Sequence, residues 1–422
     1  PATTTTPTLP APTLSFTASK TSLTKGTATT LTWSSANAVS CTASQGWSGS
    51  KTASGSTTLT PQTTTTYTLS CKGGSGDQVL KSVTVTVTEP APAPTAQKKF
   101  YPGFWGLYGQ HDKGGAVVDA ADLQGKDYFK GITRSYVWKE LEPAYGNYDF
   151  SGIRAQKEAV AGTGKKFGVE IKWTNNWPGG NPSIPEYMWN DASYGGTISG
   201  KHGAYLGAAS NDAWTAMTWN PKVQGRIFAL LDAMGTAFDN DPDIGFILLE
   251  QETTHGADTN DDPGYTCAKE LEAIKTIMTY AYARFPHTPV FYELDWGCFD
   301  IPSSIHQFLI DGGNGAWTIN AVACTDKDLG ERDANTYALF RSAYDKIAGA
   351  IFLDGWNDVR AWPCYESAAA VLGHIGEAFR ARYFLVDQSN GPYQDEINQA
   401  TKDWWNAHNG VWPFSDVPST WK

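Results

Sequence analysis

From Phe100 onward the sequence alternates short apolar runs with stretches of helical periodicity, and this alternation constrains the fold more than any other feature. Eight runs read as strands: Phe104–Gly109, Gly131–Trp138, Lys166–Trp173, Ile244–Glu252, Val290–Trp296, Trp317–Ala323, Ala350–Trp356 and Tyr383–Asp387. Between them, Lys222–Phe238, Ala268–Phe285 and Asn335–Ile347 carry apolar residues at the spacing of amphipathic helices. Strands joined through helices run parallel, and eight such units close a (β/α)8 TIM barrel over residues 100–422. The excess length lies in Thr174–Asn220, rich in Gly, Trp, Asn and Ser and expected to be a long loop over the barrel mouth.

The first 99 residues are of another kind. Residues 1–13 are a Thr/Pro linker, 14–88 a small all-β sandwich and 89–99 a second, Pro-rich linker that favours an extended backbone. The stretches LTWSS, SCTAS, GWSGS, TTTTYTLSC and VTVTV resemble the immunoglobulin-like modules attached to secreted bacterial polysaccharide hydrolases. Trp33 departs from the antibody pattern by preceding Cys41 instead of lying between Cys41 and Cys71. The resemblance implies a spacer or, with Trp47 as an exposed platform, a carbohydrate-binding module.

A net charge of −11 argues against nucleic acid as partner, because phosphate binding needs a basic stripe. Seven histidines without HExxH spacing give no zinc site, and no cofactor is expected. The acidic loop HGADTNDD, with Asp258, Asp261 and Asp262, leaves a metal-dependent hydrolase or a stabilising calcium as a weaker alternative. Six cysteines at long spacings fit disulfides of an oxidising compartment. Cys41–Cys71 is expected in the first domain; Cys267–Cys298 and Cys324–Cys364 are favoured in the second, with connectivity open. No apolar stretch spans a membrane, and PATTTTPTLPAPT is of the kind left after export processing, so a secreted monomer is expected, extracellular or periplasmic, with cell-surface attachment open.

Chemistry is expected where strands end. Ile244–Thr254, IGFILLEQETT, is a buried run that switches abruptly to carboxylates. Near the other strand ends lie Arg134, Glu170, Lys172, Glu293, Asp295 and Asp354. Strand alternation puts Glu170 with Lys172, Glu250 with Glu252 and Glu293 with Asp295 on common faces. Carboxylates crowded together raise one another's pKa, which keeps one protonated beside an ionised partner. Such a pair is the minimum equipment for glycoside hydrolysis. Trp105, Trp138, Trp173, Trp177, Trp296 and Trp356 fall at or near strand ends, where a sugar chain would cross. The competing structural role is a polar layer in which Arg134 and Lys172 neutralise buried carboxylates.

The segment SYVWKELEPAYGNYDFSGI, with its W-x-x-L-E-P-x-x-G-x-Y-D-F pattern, resembles the second βα unit of the clan A (β/α)8 glycoside hydrolases, the group that includes barrel β-galactosidases and cellulases. The resemblance implies Glu252 as acid/base, Gln251 in the place of an asparagine before it, and Arg134 as support for a strand-7 nucleophile. Asp354 stands where that nucleophile would be glutamate, and Glu293 is its rival. Trp138, Lys172, Trp173, Trp177, Asp295, Trp296 and Trp356 are expected to bind substrate. Retention is the expected course. The shorter aspartate leaves inversion open, since retaining pairs stand ~5–5.5 Å apart and inverting pairs ~6.5–9.5 Å. A non-catalytic carbohydrate-binding protein on a degenerate barrel is the alternative.

Overall fold

The computed structural model describes residues 9–24, 27–61, 63–88, 98–108, 117–175, 183–194, 205–207, 214–250, 265–294, 304–305, 307–309, 316–320, 342–353, 367–370, 372–373, 380–388 and 393–421. The chain divides into two compact units, Pro1–Pro94 and Thr95–Lys422.

The first unit is all-β, with strands β1 (Thr13–Ala18), β2 (Ser22–Thr24), β3 (Thr29–Ala36), β4 (Ala38–Gln45), β5 (Gly49–Lys51), β6 (Ser54–Leu59), β7 (Thr65–Gly73) and β8 (Gln78–Thr88). They form two sheets, β1-β3-β6 and β2-β8-β7-β4-β5. Alternating residues of the first sheet, Leu14, Phe16, Leu31 and Trp33, share one core with Ala43, Tyr67, Leu69 and Val85 of the second. The expected Cys41–Cys71 disulfide is present. It joins Cα partners on adjacent strands of one sheet, whereas antibody-type domains bridge their two sheets. Trp47 is no open platform. Phe16 lies parallel to it at 5.5 Å, Trp33 and Tyr67 meet it edge-on, and the Lys51 ammonium sits 4.9 Å from its ring.

In the second unit the strands are β9 (Gly103–Tyr108), β10 (Phe129–Val137), β11 (Lys166–Lys172), β12 (Thr174–Asn175), β13 (Tyr205–Gly207), β14 (Trp214–Ala216), β15 (Ile244–Glu250), β16 (Val290–Leu294), β17 (Ala316–Asn320), β18 (Ala348–Leu353) and β19 (Tyr383–Asp387). The helices used below are α1 (Trp138–Leu141), α2 (Ser151–Ala161), α3 (Glu186–Trp189), α4 (Pro221–Phe238), α5 (Cys267–Arg284) and α6 (Gln394–Ala407). Strands β9, β10, β11 and β15 to β19 pair in parallel and close a barrel, β19 returning to β9. Each of these eight coincides with an expected run. Helix α4 starts where Asn220 accepts the Lys222 N–H at 2.9 Å with Pro221 in the first turn, and α5 where Thr266 accepts from Lys269 at 3.2 Å. The expected helix Asn335–Ile347 falls largely outside the described residues. The 174–220 insertion is more than a loop: it carries α3 and a small antiparallel sheet, β12-β14-β13. Cys267 is disulfide-bonded, and its expected partner Cys298 lies outside the described residues, as do Cys324 and Cys364.

Strand parity sorts the barrel into two cores. Outward residues, among them Ile132, Val169, Ile171, Ile247 and Leu249, pack against Val223, Ile227 and Leu230 of α4 and Ile274 and Ile277 of α5. Inward residues Trp105, Phe246, Phe291 and Tyr383 fill the amino-terminal half of the barrel, with Leu107, Leu248 and Leu385 above them. Trp105 fits because its neighbours lack side chains. A Cβ at Gly131 would stand 2.3 Å from its ring and one at Gly245 2.4 Å. Phe100 and Trp421 close the floor edge-on to each other at 6.0 Å.

Candidate active site at the carboxyl end of the barrel

Above the aromatic floor the interior turns polar. Glu170 of β11 is fully buried and accepts the Ser135 hydroxyl of β10, its Cα partner. Glu170 is also in register with Leu248, whose side chain belongs to the inner core, so Glu170 shares the inward face. Lys172, two residues on, is half-buried on that face and is the Cα partner of Glu250. Asp387 ends β19 two residues beyond inward Leu385, in register with inward Leu107, and is 1% exposed. Glu293 lies two residues beyond inward Phe291 on β16, as the Cα partner of Thr318. In sequence, Glu252 follows β15 and Asp354 follows Leu353, the last residue of β18. Parallel pairing puts all these strand ends at one rim.

Four of the residues expected near the site lie off the polar inward layer. Arg134 shares a face with Ile132 and Tyr136, which pack in the outer core, and its Cα partners Tyr108 and Val169 belong there too. Its guanidinium reaches the Gln156 side chain of α2 at 3.5 Å and lies over the Tyr136 ring at 5.4 Å. One residue of parity directs it away from the mouth. Trp138 and Trp173 are fully buried in that same outer core, so neither offers a face to a sugar. Trp105 is part of the floor. Trp177, Gln251, Glu252, Asp295, Trp296, Asp354 and Trp356 lie outside the described residues, as do the side chains of Glu250 and Glu293 and the loop bearing Asp258, Asp261 and Asp262. Among the described residues no group of His, Cys, Asp or Glu is arranged to hold a metal ion, and no helix is long and apolar enough to cross a membrane.

The W-x-x-L-E-P segment is a structural knot. Glu142 is fully buried and accepts from the Trp138 indole at 3.0 Å, the Gly146 N–H at 2.9 Å, the Tyr187 hydroxyl at 2.9 Å and the Arg226 guanidinium. Arg226 of α4 also donates to the hydroxyls of Tyr187 at 2.9 Å and Tyr148 at 3.0 Å. Burial alone would lower the Arg226 pKa, but the hydrogen bond and charge of Glu142 prevail and raise it. Burial and the same carboxylate raise the Tyr187 and Tyr148 phenols, keeping them protonated donors. Gly146 turns the chain at φ +68, and Asp149 accepts the Ser151 N–H at 2.8 Å at the start of α2. Every acceptor of this buried pair is used, which suits fixing a loop rather than proton transfer.

Asp387 was not among the expected site residues. Counting by twos from the apolar run Tyr383, Leu385 puts it on the inward face at a strand end.

No family model and no curated protein matches the sequence. Similarity to solved structures is remote, with each of the three that follow at a TM-score below 0.5. A psychrophilic family 10 endo-β-1,4-xylanase is 13% identical with a TM-score of 0.43, over 72% of this chain and 96% of that one. The catalytic domain of β-amylase from Paenibacillus polymyxa is 11% identical with a TM-score of 0.46, over 71% and 98%. A cycloisomaltooligosaccharide glucanotransferase from Paenibacillus sp. is 14% identical with a TM-score of 0.38, over 81% of this chain, which spans about half, 53%, of that protein.

Proposed function

We propose that the chain is a secreted glycoside hydrolase that cleaves a polysaccharide or oligosaccharide with a pair of carboxylates at the carboxyl end of its barrel. One observation carries the reading: the carboxyl end of the closed parallel barrel turns polar with Ser135, Glu170, Lys172 and Asp387, and in the sequence Glu252, Glu293 and Asp354 stand at or just after the ends of strands four, five and seven. In this reading Glu252 protonates the leaving glycosidic oxygen, and Asp354 or Glu293 attacks the anomeric carbon with retention. The enzyme acts as a monomer without a cofactor, and the all-β unit is an immunoglobulin-like spacer.

The test is azide rescue. Asp354→Gly and Glu293→Gly variants are assayed with an activated glycoside of whichever polysaccharide the wild type depolymerises. The variant that azide reactivates identifies the second carboxylate, and the anomeric configuration of the glycosyl azide reports the stereochemical course. If no polysaccharide in a broad panel gains reducing ends with the wild type, the enzymatic reading fails and a non-catalytic carbohydrate-binding barrel takes its place.

A further inference from the structure

We infer that Tyr145 is a sugar-stacking platform at the rim, an outer subsite for a neutral pyranose ring; the inference rests on the glycan-directed reading above. Tyr145 lies on the connection from β10 to α2, which leaves the carboxyl end of the barrel. It is 68% exposed and is the one aromatic residue among the exposed large hydrophobic side chains of the described residues. Its neighbours in the W-x-x-L-E-P segment, Trp138, Leu141, Glu142 and Phe150, are all buried.

An exposed tyrosine at a loop tip is ordinarily a mobile side chain with nothing to support it. Tyr145 is supported. The Arg226 guanidinium lies 4.2 Å from its ring centroid, and the Tyr187 ring meets it edge-on at 5.4 Å. Its backbone is held in a tight turn by the Ala144–Asn147 bridge and the Gly146 N–H bond to Glu142. Arg226 already has Glu142, Tyr187 and Tyr148 as partners, so the knot does not need Tyr145 to satisfy it. The outcome is a flat ring fixed on one side by a buried ion pair and open to solvent elsewhere.

A fixed aromatic face binds ligands that have a flat apolar face of their own and loses little side-chain entropy in doing so. A pyranose offers such a face in its axial C–H groups, and a net charge of −11 favours neutral over anionic glycans. With Trp138 and Trp173 buried, Tyr145 takes over the stacking role that the sequence assigns to those tryptophans.

The test is affinity electrophoresis of the full chain in native gels containing hydroxyethylcellulose, xylan, galactomannan or soluble starch, with wild type, Tyr145→Ala, Tyr145→Phe and Tyr145→Trp compared. On a glycan that retards the wild type, Tyr145→Ala should weaken binding about five- to tenfold, on the scale of one aromatic contact. Tyr145→Phe and Tyr145→Trp should retain it, and all variants should keep the wild-type Tm. Equal retardation of wild type and Tyr145→Ala overturns the platform and leaves the glycan-directed reading standing. Equal loss in Tyr145→Phe and Tyr145→Ala overturns stacking in favour of a hydroxyl contact. A wild type retarded by none of the four glycans overturns both the platform and the reading it rests on.

Discussion

The two ends of the barrel interior are made of opposite materials. The amino-terminal end is a dry aromatic plug of Trp105, Phe246, Phe291 and Tyr383, seated in room left by glycines and sealed by Phe100 and Trp421. The carboxyl end holds Ser135, Glu170, Lys172 and Asp387 on the same inward faces, a few residues further along each strand. Parallel strands cannot pair without giving both ends, and a barrel uses one for cohesion and the other for chemistry. Position along a strand therefore says more about an inward residue's task than its polarity does. Glu142 teaches the same from outside the barrel: it is as buried and polar as Glu170, yet its environment makes it a structural tie.

That contrast can be broken by substitution, and the largest stability effect belongs to the knot. Glu142→Ala leaves the Arg226 guanidinium buried without its carboxylate, which costs about 3–5 kcal/mol. Denaturant titration should show the loss as a lower midpoint. A variant that stays stable and loses only turnover would make Glu142 a site residue after all. Next comes the floor. Gly131→Ala places a Cβ 2.3 Å from the Trp105 ring and 2.4 Å from the Lys166 carbonyl oxygen, which cannot move without the strand. Overpacking of this kind costs about 1–3 kcal/mol, and per folded molecule the turnover should be unchanged. A fall in kcat with stability intact would erase the division between the two ends.

The smallest effect sharpens the picture of the floor's edge. Lys98 is 8% exposed, donates to the Phe285 carbonyl at 3.0 Å, and burial pushes its pKa down from 10.5 to about 8 despite the attraction of Asp239. Between those values the unfolded chain binds more protons than the folded one, so this lysine's contribution to stability increases as pH rises from about 8 towards 10.5. Lys98→Met should flatten the rise in unfolding free energy over that window. Identical slopes in wild type and variant would show that Lys98 is charged at no cost in the folded state.

All eight barrel strands were legible in the sequence because apolar runs bounded by turns and separated by helical periods admit few other folds. Facing was less legible. Arg134 stands at a strand end with the right chemistry, but it is one residue out of phase with Ser135, and only the neighbours Ile132 and Tyr136 reveal which way it points. Trp105, Trp138 and Trp173 were placed by proximity to strand ends; their burial depends on glycines and helices distant in sequence. The role of Glu142 was hidden for the same reason, since its partner Arg226 is 84 positions away on α4. The insertion's small sheet was missed because strands of two or three residues, such as β12 and β13, are too short to show a period.

The central claim, that the polar end performs chemistry and that Glu252 is its acid, is tested most directly by one comparison. Release of reducing ends from a responsive polysaccharide is measured for the wild type and for Glu252→Gln, with Tm recorded for both. Loss of a general acid predicts a fall in kcat of about a hundredfold to ten-thousandfold, with the melting temperature and polysaccharide binding preserved. Undiminished turnover in Glu252→Gln would contradict the account.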